Sequence, residues 1–245
     1  MADTYLDRIE KFIYSRTDEK KIVSGLIHDL IKNKPIEDAL DIGTGPGLIT
    51  KPLYDASKSL TLIEMDAGYA DTLRKKFPKA NLRVGSFLDF NFRHEFDVIL
   101  CSHVLYYVPE DRWLEIFKKF ISWLREGGRV LCVINIDKGD WWKVVNEFKD
   151  DLKASCKFYY QPWSQFKEIL STLGKVASHP YTYSITYEDY DSAARAVGKQ
   201  WLQIYNDQIL EKHYPQFLSF VKKNFPTVSN HVVMTIESEL TSFCP

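Results

Sequence analysis

Few cysteines and no long apolar run limit what this protein can be. The 245-residue chain has four cysteines, none of them in a Cys-x-x-Cys pair or beside a pair of histidines. Such spacing disfavours a zinc site and a disulfide framework. The apolar runs are too short to span a bilayer, and the charged start MADTYLDRIEKF does not have the pattern of a secretory signal. We therefore expect a soluble, cytoplasmic protein with no metal and no membrane partner.

The chain also has no marked excess of positive or negative charge. The chain has 32 Lys and Arg residues against 33 Asp and Glu residues, so its formal net charge is −1. Nucleic-acid-binding domains usually have a basic excess or a basic stripe, so no nucleic-acid partner is expected. Apolar residues make up 45% of the chain, and no low-complexity segment or Pro/Ser-rich linker divides it. A single domain is predicted, with a monomer favoured.

The spacing of apolar residues predicts an α/β fold. Residues 5–13 and 22–31 have apolar residues at helical spacing, and Thr17 or Asp18 is the expected N-cap of the second helix. HPYTYSITY and HVVMTIESEL have the pattern of late strands. Between these regions, helical segments alternate with short apolar runs, as in a parallel sheet that is covered on both faces. The runs are DALDI, LTLIE, LRVGS, FDVILCS and RVLCVINI.

The segment ALDIGTGPGLIT has three glycines in five residues, Gly43, Gly45 and Gly47, just after an apolar run that contains Asp41. A dinucleotide-binding loop has the spacing G-x-G-x-x-G, and here the third glycine comes one residue early. A P-loop ends in Gly-Lys-Ser/Thr, whereas Leu48 follows the last glycine here. The spacing therefore disfavours a nicotinamide-dependent oxidoreductase and a P-loop protein. A glycine turn that is packed only for shape stays open as an alternative.

An acidic residue followed by G-x-G-x-G resembles motif I of the class I S-adenosylmethionine-dependent methyltransferases. The resemblance implies S-adenosyl-L-methionine as cofactor, with Asp41 and the three glycines near its methionine part. Glu64, 17 residues after the last glycine, matches the residue that binds the ribose hydroxyls. Ser86 and the backbone of Phe87 match the position that contacts adenine in many relatives. Ser102, at the end of the fourth strand, is expected to border the methyl group.

The same resemblance implies a Rossmann-like, seven-stranded, mostly parallel sheet with helices on both faces. N-terminal helices and a small inserted substrate-binding subdomain are expected in addition. Within one methyltransferase domain, 1–245, the expected parts are N-terminal helices at 1–34 and a cofactor-binding core at 35–137. A substrate-binding insertion with helices is expected at 138–226, and the final strand at 227–245.

The stretch FDVILCSHVLYYVPED favours a small-molecule acceptor. It lacks the Asn/Asp-Pro-Pro-aromatic tetrapeptide of enzymes that methylate nucleic-acid bases, and no carboxylate pair of the metal-dependent catechol type is evident. Four stretches, in order along most of the chain, are similar to the histamine N-methyltransferases: YLDRIEKFIYSRTD, LCSHVLYYV, GDWWKVVNEF and VVMTIES. This likeness implies N-methylation of a small amine or imidazole.

The likeness also implies roles for particular residues. Asp18 matches an acidic residue that contacts the substrate amine, and His103 replaces a glutamine. Asn230, or else Ser229, matches the position of an asparagine that touches the substrate in those enzymes. We expect Asp18 to anchor the cationic group of the acceptor, and His103 or Tyr107 to accept or relay its proton. Asp18 as a plain helix cap and His103 as a hydrogen-bonded residue at the rim of the sheet are the simpler alternatives.

Aromatic residues are dense between positions 141 and 190. They predict an aromatic-walled pocket, which suits a cation but also a flat aromatic substrate. Three other functions stay open: an O-methyltransferase of carboxylates or phenols, an α-N-terminal protein methyltransferase, and a regulatory protein that binds S-adenosylmethionine without turnover. The residues expected to bind the substrate, besides Asp18 and Asn230, are Tyr106, Trp141, Trp142 and Tyr183.

Overall fold

The computed structural model describes residues 16–152, 163–202, 204 and 206–245. The helix predicted at residues 5–13 lies outside the described residues. The described part forms one sheet of eight strands. The strands are β1 (Ile36–Ile42), β2 (Ser57–Glu64), β3 (Asn81–Val84), β4 (Phe96–Ser102), β5 (Leu124–Lys138), β6 (Lys175–Tyr187), β7 (Thr227–Val228) and β8 (His231–Cys244).

The sheet has the order β3-β2-β1-β4-β5-β8-β6, and the short strand β7 pairs with β8 beside this path. Strands β1 to β5 pair in parallel, whereas β8 is antiparallel to both β5 and β6. This order confirms the predicted Rossmann-like, mostly parallel sheet. Strand β6 lies within residues 138–226, so the segment expected as an insertion also supplies a strand of the central sheet.

Helices cover the sheet. The second predicted helix is confirmed, and the apolar face of the helix that follows β4 packs against a later helix: the rings of Trp113 and Phe117 lie 5.5 and 5.2 Å from that of Phe166. No helix in the described ranges is both long and apolar enough to cross a membrane. The helices are α1 (Glu19–Ile31), α2 (Lys51–Ala56), α3 (Ala70–Lys76), α4 (Trp113–Trp123), α5 (Gly139–Leu152), α6 (Trp163–Leu173), α7 (Tyr190–Ala196) and α8 (Asp207–Asn224).

The start of α1 is tied to the edge strand β6. Thr17 forms an isolated antiparallel bridge with Ile185, and the backbone N–H of Ser184 donates to Asp18 Oδ1 at 3.1 Å. Asp18 occupies the N-cap position, but its side chain does not cap the helix. The backbone N–H of Glu19, in the first turn, donates instead to the hydroxyl of Thr17 at 3.1 Å. The buried residues of α1 recur every fourth position, which is one helix face: Glu19, Val23, Ile27 and Ile31.

The strand order places two loops side by side. From β1 the chain moves toward β2 on one side, and from β4 it moves toward β5 on the other, so β1 and β4 flank the topological switch point. Ile42 at the end of β1 pairs with Cys101 of β4. The next residues, Gly43 and Ser102, are therefore neighbours at the carboxyl edge of the sheet, where open α/β sheets bind ligands.

Candidate active site

The glycine loop, residues 43–47, has three glycines in the left-handed region of backbone conformation. Their φ angles are +64° for Gly43, +55° for Gly45 and +71° for Gly47. A Cβ on Gly43 would lie 2.3 Å from Val104 Cγ2, and one on Gly47 would lie 2.4 Å from Phe77 Cε2. A Cβ on Gly45 would meet no atom within 4 Å. Gly43 and Gly47 thus let the loop pack against the protein, while Gly45 faces open space.

Glu64 fixes this loop from the end of β2. It is buried, its Oε2 accepts from the backbone N–H of Gly45 at 2.6 Å, and its Oε1 accepts from that of Asp66 at 2.8 Å. An ionised carboxylate has about four acceptor positions, so two remain for a ligand. The residue predicted to bind the ribose hydroxyls therefore also positions the central glycine.

Asp41 is a second buried carboxylate beneath the loop. The hydroxyl of Thr50 donates to its Oδ2 at 2.6 Å. Burial raises the pKa of Asp41 to about 7, against the opposing hydrogen bond from Thr50, and the charge of Glu64 adds to the rise. Within the described ranges, neither Asp41 nor Glu64 bonds a cationic side chain. This pair of carboxylates fits a ligand that brings its own positive charge.

Three more predicted cofactor residues lie at the same edge of the sheet. The hydroxyl of Ser86 accepts from the backbone N–H of Leu88 at 3.3 Å. The ring of Phe87 is buried against Phe120, so only its backbone faces a ligand site. The hydroxyl oxygen of Ser102 is buried, and no partner in the described part of the chain bonds it. A buried hydroxyl without a partner costs free energy unless a ligand bonds it.

The residues at this edge fit S-adenosyl-L-methionine. Gly45 leaves room beside the loop, Glu64 has acceptor positions to spare, and Ser102 has an unused hydroxyl. Asp41 and the three glycines would surround the methionine part, and Glu64 would hold the ribose.

A second cluster begins one residue after Ser102. His103 has φ +55°, and its backbone N–H donates to the carbonyl of Val133 at 2.9 Å. A histidine in the left-handed region is strained, and such strain persists only where the surroundings hold the residue. Its ring lies between two partners: Nε2 is 2.8 Å from Glu19 Oε1, and Nδ1 is 3.3 Å from the hydroxyl oxygen of Tyr106.

Glu19 supplies the carboxylate of this second cluster. The residue is 9% exposed, and its Oε1 also accepts from the hydroxyl of Tyr181 at 3.1 Å. Among the described residues, no donor bonds its other oxygen, Oε2. Glu19 therefore has one oxygen that is fixed by His103 and Tyr181, and a second that is available to a ligand.

Aromatic side chains surround the carboxylate of Glu19. The ring of Tyr106 lies 5.8 Å from that of Trp141, and its hydroxyl accepts from the backbone N–H of Asn135. The hydroxyl of Tyr183 donates to Asn135 Oδ1 at 3.2 Å. Burial raises the pKa of Tyr106, Tyr181 and Tyr183, and the charge of Glu19 raises each pKa further. These three tyrosines consequently remain neutral hydroxyls.

The structure brings several predicted acceptor-site residues together, namely His103, Tyr106, Trp141 and Tyr183. Two others are turned away. Asp18 is exposed and bonds the backbone of Ser184, because it lies one residue off the buried face of α1. Tyr107 is 52% exposed, whereas its neighbour Tyr106 points inward.

Trp142 and Asn230 also differ from expectation. Trp142 is partly buried behind Trp141, with Lys149 Nζ 5.5 Å from its ring. Asn230 is exposed in the turn between β7 and β8. Asn230 lies six residues before Ile236, which pairs with Tyr183 across the sheet. Six residues of extended strand span about 20 Å. That distance separates Asn230 from the cluster around Glu19.

Sequence reasoning missed Glu19, Tyr181 and Asn135. For Glu19 a signal exists, since it stands four residues before Val23 in the apolar repeat of α1. For Tyr181 the signal is the alternation of β6, whose buried residues include 181, 183, 185 and 187. Asn135 contributes its backbone N–H and its side-chain oxygen from β5, and the sequence has no pattern that marks it.

The fold and the glycine loop have the features of a class I S-adenosylmethionine-dependent methyltransferase domain. Residues 39–128 match a family model described as a methyltransferase domain. Over 109 residues the chain is 28% identical to an uncharacterized methyltransferase of Anoxybacillus flavithermus, a match that covers 42% of this chain and 51% of that protein. The match therefore spans about half the length of that relative.

Solved structures share the fold over nearly the whole chain. The YcgJ protein of Bacillus subtilis superposes with a TM-score of 0.63 at 16% identity, covering 91% of this chain and 97% of that protein. The N-methyltransferase NodS of Bradyrhizobium japonicum, in complex with S-adenosyl-L-homocysteine, superposes with a TM-score of 0.54 at 12% identity, covering 97% and 92%. These matches support an S-adenosylmethionine-dependent methyltransferase with S-adenosyl-L-methionine as its cofactor, and they do not support the oxidoreductase alternative.

Two alanine substitutions in the glycine loop should differ in their effects on stability and on cofactor binding. Gly45→Ala should cost only about 1–2 kcal/mol of stability, from its backbone conformation, but weaken cofactor binding at least about tenfold, because its Cβ enters the open space. Gly47→Ala should cost about 2–4 kcal/mol, since strain and the contact with Phe77 add. Urea unfolding and calorimetric titration with S-adenosyl-L-homocysteine measure both quantities. Unchanged cofactor affinity in Gly45→Ala would show that the open space is not the cofactor's.

Asp41 should make stability depend on pH. Its folded-state pKa is raised to about 7, so the folded protein binds the extra proton between about pH 4 and pH 7, and stability is lost as the pH rises through this window. Asp41→Asn removes this loss. Between pH 5 and pH 8 the stability of the variant should rise relative to the wild type by about 2–3 kcal/mol, measured by urea unfolding at both pH values. A constant difference would contradict the raised pKa.

Proposed function

We propose that the chain is an N-methyltransferase of a small amine or imidazole-type acceptor. The observation that carries this proposal is the buried carboxylate of Glu19. His103 and Tyr181 hold its Oε1, at 2.8 and 3.1 Å, and leave Oε2 available. Because His103 directly follows Ser102, which lies beside Gly43, this carboxylate belongs to the same edge of the sheet as the cofactor site. A buried carboxylate at such a place favours a cationic acceptor.

The aromatic walls support the same acceptor class. Tyr106 and Tyr183 are buried and lie close enough to Glu19 to feel its charge, Trp141 packs on Tyr106, and ring faces attract a cation by roughly 0.5–2 kcal/mol each. A carboxylate acceptor would face the negative charge of Glu19, which disfavours an O-methyltransferase of acids. A phenol fits the aromatic walls but leaves the carboxylate without a cation. N-methylation explains both features.

The likeness to the histamine N-methyltransferases supports the proposal after one residue assignment is changed. The acidic residue after the first helix is taken to be Glu19 rather than Asp18, since Glu19 is the buried one. NodS, an N-methyltransferase by its own description, shares the fold over 97% of this chain, and this supports transfer to nitrogen. The boundaries 1–34, 35–137, 138–226 and 227–245 stay part of the proposal, with residues 138–226 supplying β6 and two of the aromatic walls, Trp141 and Tyr183.

The proposed mechanism assigns alignment and proton removal to the protein. S-adenosylmethionine, when bound, supplies an electrophilic methyl group on a sulfonium whose leaving group needs no acid. Glu19 holds the cationic group of the acceptor, and the aromatic walls exclude water and fix its orientation. An ammonium has no free lone pair, so one proton must leave before the nitrogen can attack. His103 is the base that receives it.

Transfer of an isotopically labelled methyl group tests the acceptor class. We expect label in amines and imidazoles, and none in carboxylic acids, phenols or peptides with a free N-terminus, in a panel whose products are located by mass spectrometry. Label confined to acids or phenols would replace the proposal by O-methylation. Label confined to the peptides would replace it by α-N-terminal protein methylation.

Substituting the two adjacent carboxylates separates their roles. Glu19→Gln keeps the shape but loses the charge, and should lower kcat/KM for the amine about 30- to 100-fold, the equivalent of a charged hydrogen bond of about 2–3 kcal/mol. The Kd of S-adenosyl-L-homocysteine should stay within about twofold. Asp18→Asn should change kcat/KM by less than about threefold, since Asp18 is exposed. The reverse order of effects would make Asp18 the anchor.

A further inference from the structure

A chain of hydrogen bonds runs from the backbone of β5 to Glu19. The backbone nitrogen of Asn135 lies 2.5 Å from the hydroxyl oxygen of Tyr106. That oxygen lies 3.3 Å from His103 Nδ1, and His103 Nε2 lies 2.8 Å from Glu19 Oε1. Four groups from three separate parts of the fold are thus joined in one line.

The two ends of this chain fix where its hydrogens are. A backbone N–H can only donate, so the oxygen of Tyr106 accepts from Asn135. A carboxylate can only accept, so Nε2 of His103 carries a hydrogen and donates it to Glu19. When the imidazole is neutral, Nδ1 has no hydrogen and accepts the hydroxyl hydrogen of Tyr106. The Glu19 end therefore selects the tautomer, and the hydroxyl of Tyr106 can accept from Asn135 and donate to Nδ1 at the same time.

We propose, on the basis of the proposed N-methyltransferase function, that Tyr106 is the proton-relay residue of the reaction. Glu19 selects the tautomer of His103 that is protonated at Nε2, and a proton from the acceptor reaches the remaining nitrogen, Nδ1, through the hydroxyl of Tyr106. Nε2 already carries a hydrogen, so Nδ1 is the position at which the neutral imidazole gains a proton. The hydroxyl of Tyr106 is the group that lies against Nδ1.

The relay step balances. The ammonium of the acceptor gives one proton to the oxygen of Tyr106, while the hydroxyl hydrogen of Tyr106 passes to Nδ1 of His103. The acceptor becomes a neutral amine with a free lone pair, Tyr106 remains a neutral phenol, and His103 becomes an imidazolium paired with Glu19. The positive charge moves from the acceptor to the imidazole, and no other reactant is needed.

The surroundings favour this route over direct ionisation of Tyr106. Burial raises the pKa of Tyr106 well above its usual value, so the phenol does not act as a base by losing its own proton first. The described titratable groups around the imidazole are Glu19 from α1, Tyr106 from its own loop, and Tyr181 and Tyr183 from β6. Glu19 is the one carboxylate in this set, and it stabilises the imidazolium.

Nitrogen NMR of the histidine ring tests the tautomer without any variant. Long-range ¹H–¹⁵N spectra of the wild-type protein, with the His103 signals assigned by loss in His103→Gln, should show Nε2 protonated and Nδ1 unprotonated at a pH where the ring is neutral. A ring protonated at Nδ1, or an equal mixture of tautomers, would overturn the proposal. This measurement needs no methyl acceptor, so it stands apart from the test of N-methylation.

Tyr106→Phe tests the relay itself. The ring and its packing on Trp141 are kept, while the hydroxyl is lost. We expect kcat/KM for the amine that the wild type methylates best to fall about 10- to 100-fold. The pH dependence of kcat/KM should change, Nε2 of His103 should stay protonated because Glu19 still accepts from it, and the Kd of S-adenosyl-L-homocysteine should remain within about twofold.

Tyr214→Phe is the matched control, because it removes a tyrosine hydroxyl that bonds Asp191 at the surface, between α7 and α8. It should leave kcat/KM, its pH profile and the His103 spectrum unchanged. If amines are methylated but Tyr106→Phe keeps the wild-type kcat/KM and pH profile, the relay is wrong while the proposed function stands. If no amine is methylated, the proposed function fails, and the spectra alone decide the tautomer.

Discussion

The neighbourhood of β1 and β4 is the constraint on which the rest of the site depends. Because these two parallel strands pair, with Ile42 opposite Cys101, the loops that follow them must share one edge of the sheet. The contact is close, since a Cβ on Gly43 would overlap the side chain of Val104. The loop after β1 is the proposed cofactor loop, and the loop after β4 presents His103, the proposed base. Strand order alone therefore brings these two loops together.

Three buried carboxylates that bond no lysine or arginine in the described part of the chain give this edge its electrostatic character. Asp41 and Glu64 flank the glycine loop, and Glu19 lies beside the loop after β4. Burying a carboxylate is costly unless hydrogen bonds or a cation compensate. Thr50, backbone N–H groups, His103 and Tyr181 supply the hydrogen bonds. The remaining compensation is left to ligands, and both a sulfonium cofactor and the proposed ammonium acceptor would supply positive charge.

Sequence reasoning predicted the parts of the molecule that depend on local pattern. The glycine spacing, the carboxylate at the end of β2 and the alternation of strands and helices are local, and the fold has all of them. The acceptor site depends on direction, which spacing alone does not fix. Asp18 and Glu19 differ by one helix position, about 100° around the axis, and the apolar repeat of α1 selects Glu19. Tyr106 and Tyr107 likewise point in different directions from one turn. The distance of Asn230 from the site depends on the length of β8, which the sequence does not fix.

The strained backbone conformation of His103 follows from two geometric requirements on its loop. The chain must leave β4 close to Gly43 and then direct one ring toward Glu19, and a left-handed residue makes that turn. Two bonds to β5 hold it: the N–H of His103 donates to Val133, and the N–H of Asn135 donates to Tyr106. The same backbone bond that fixes the turn also fixes the direction of the Tyr106 hydroxyl. Rigidity of the loop and polarity of the hydrogen-bond chain thus have one physical origin.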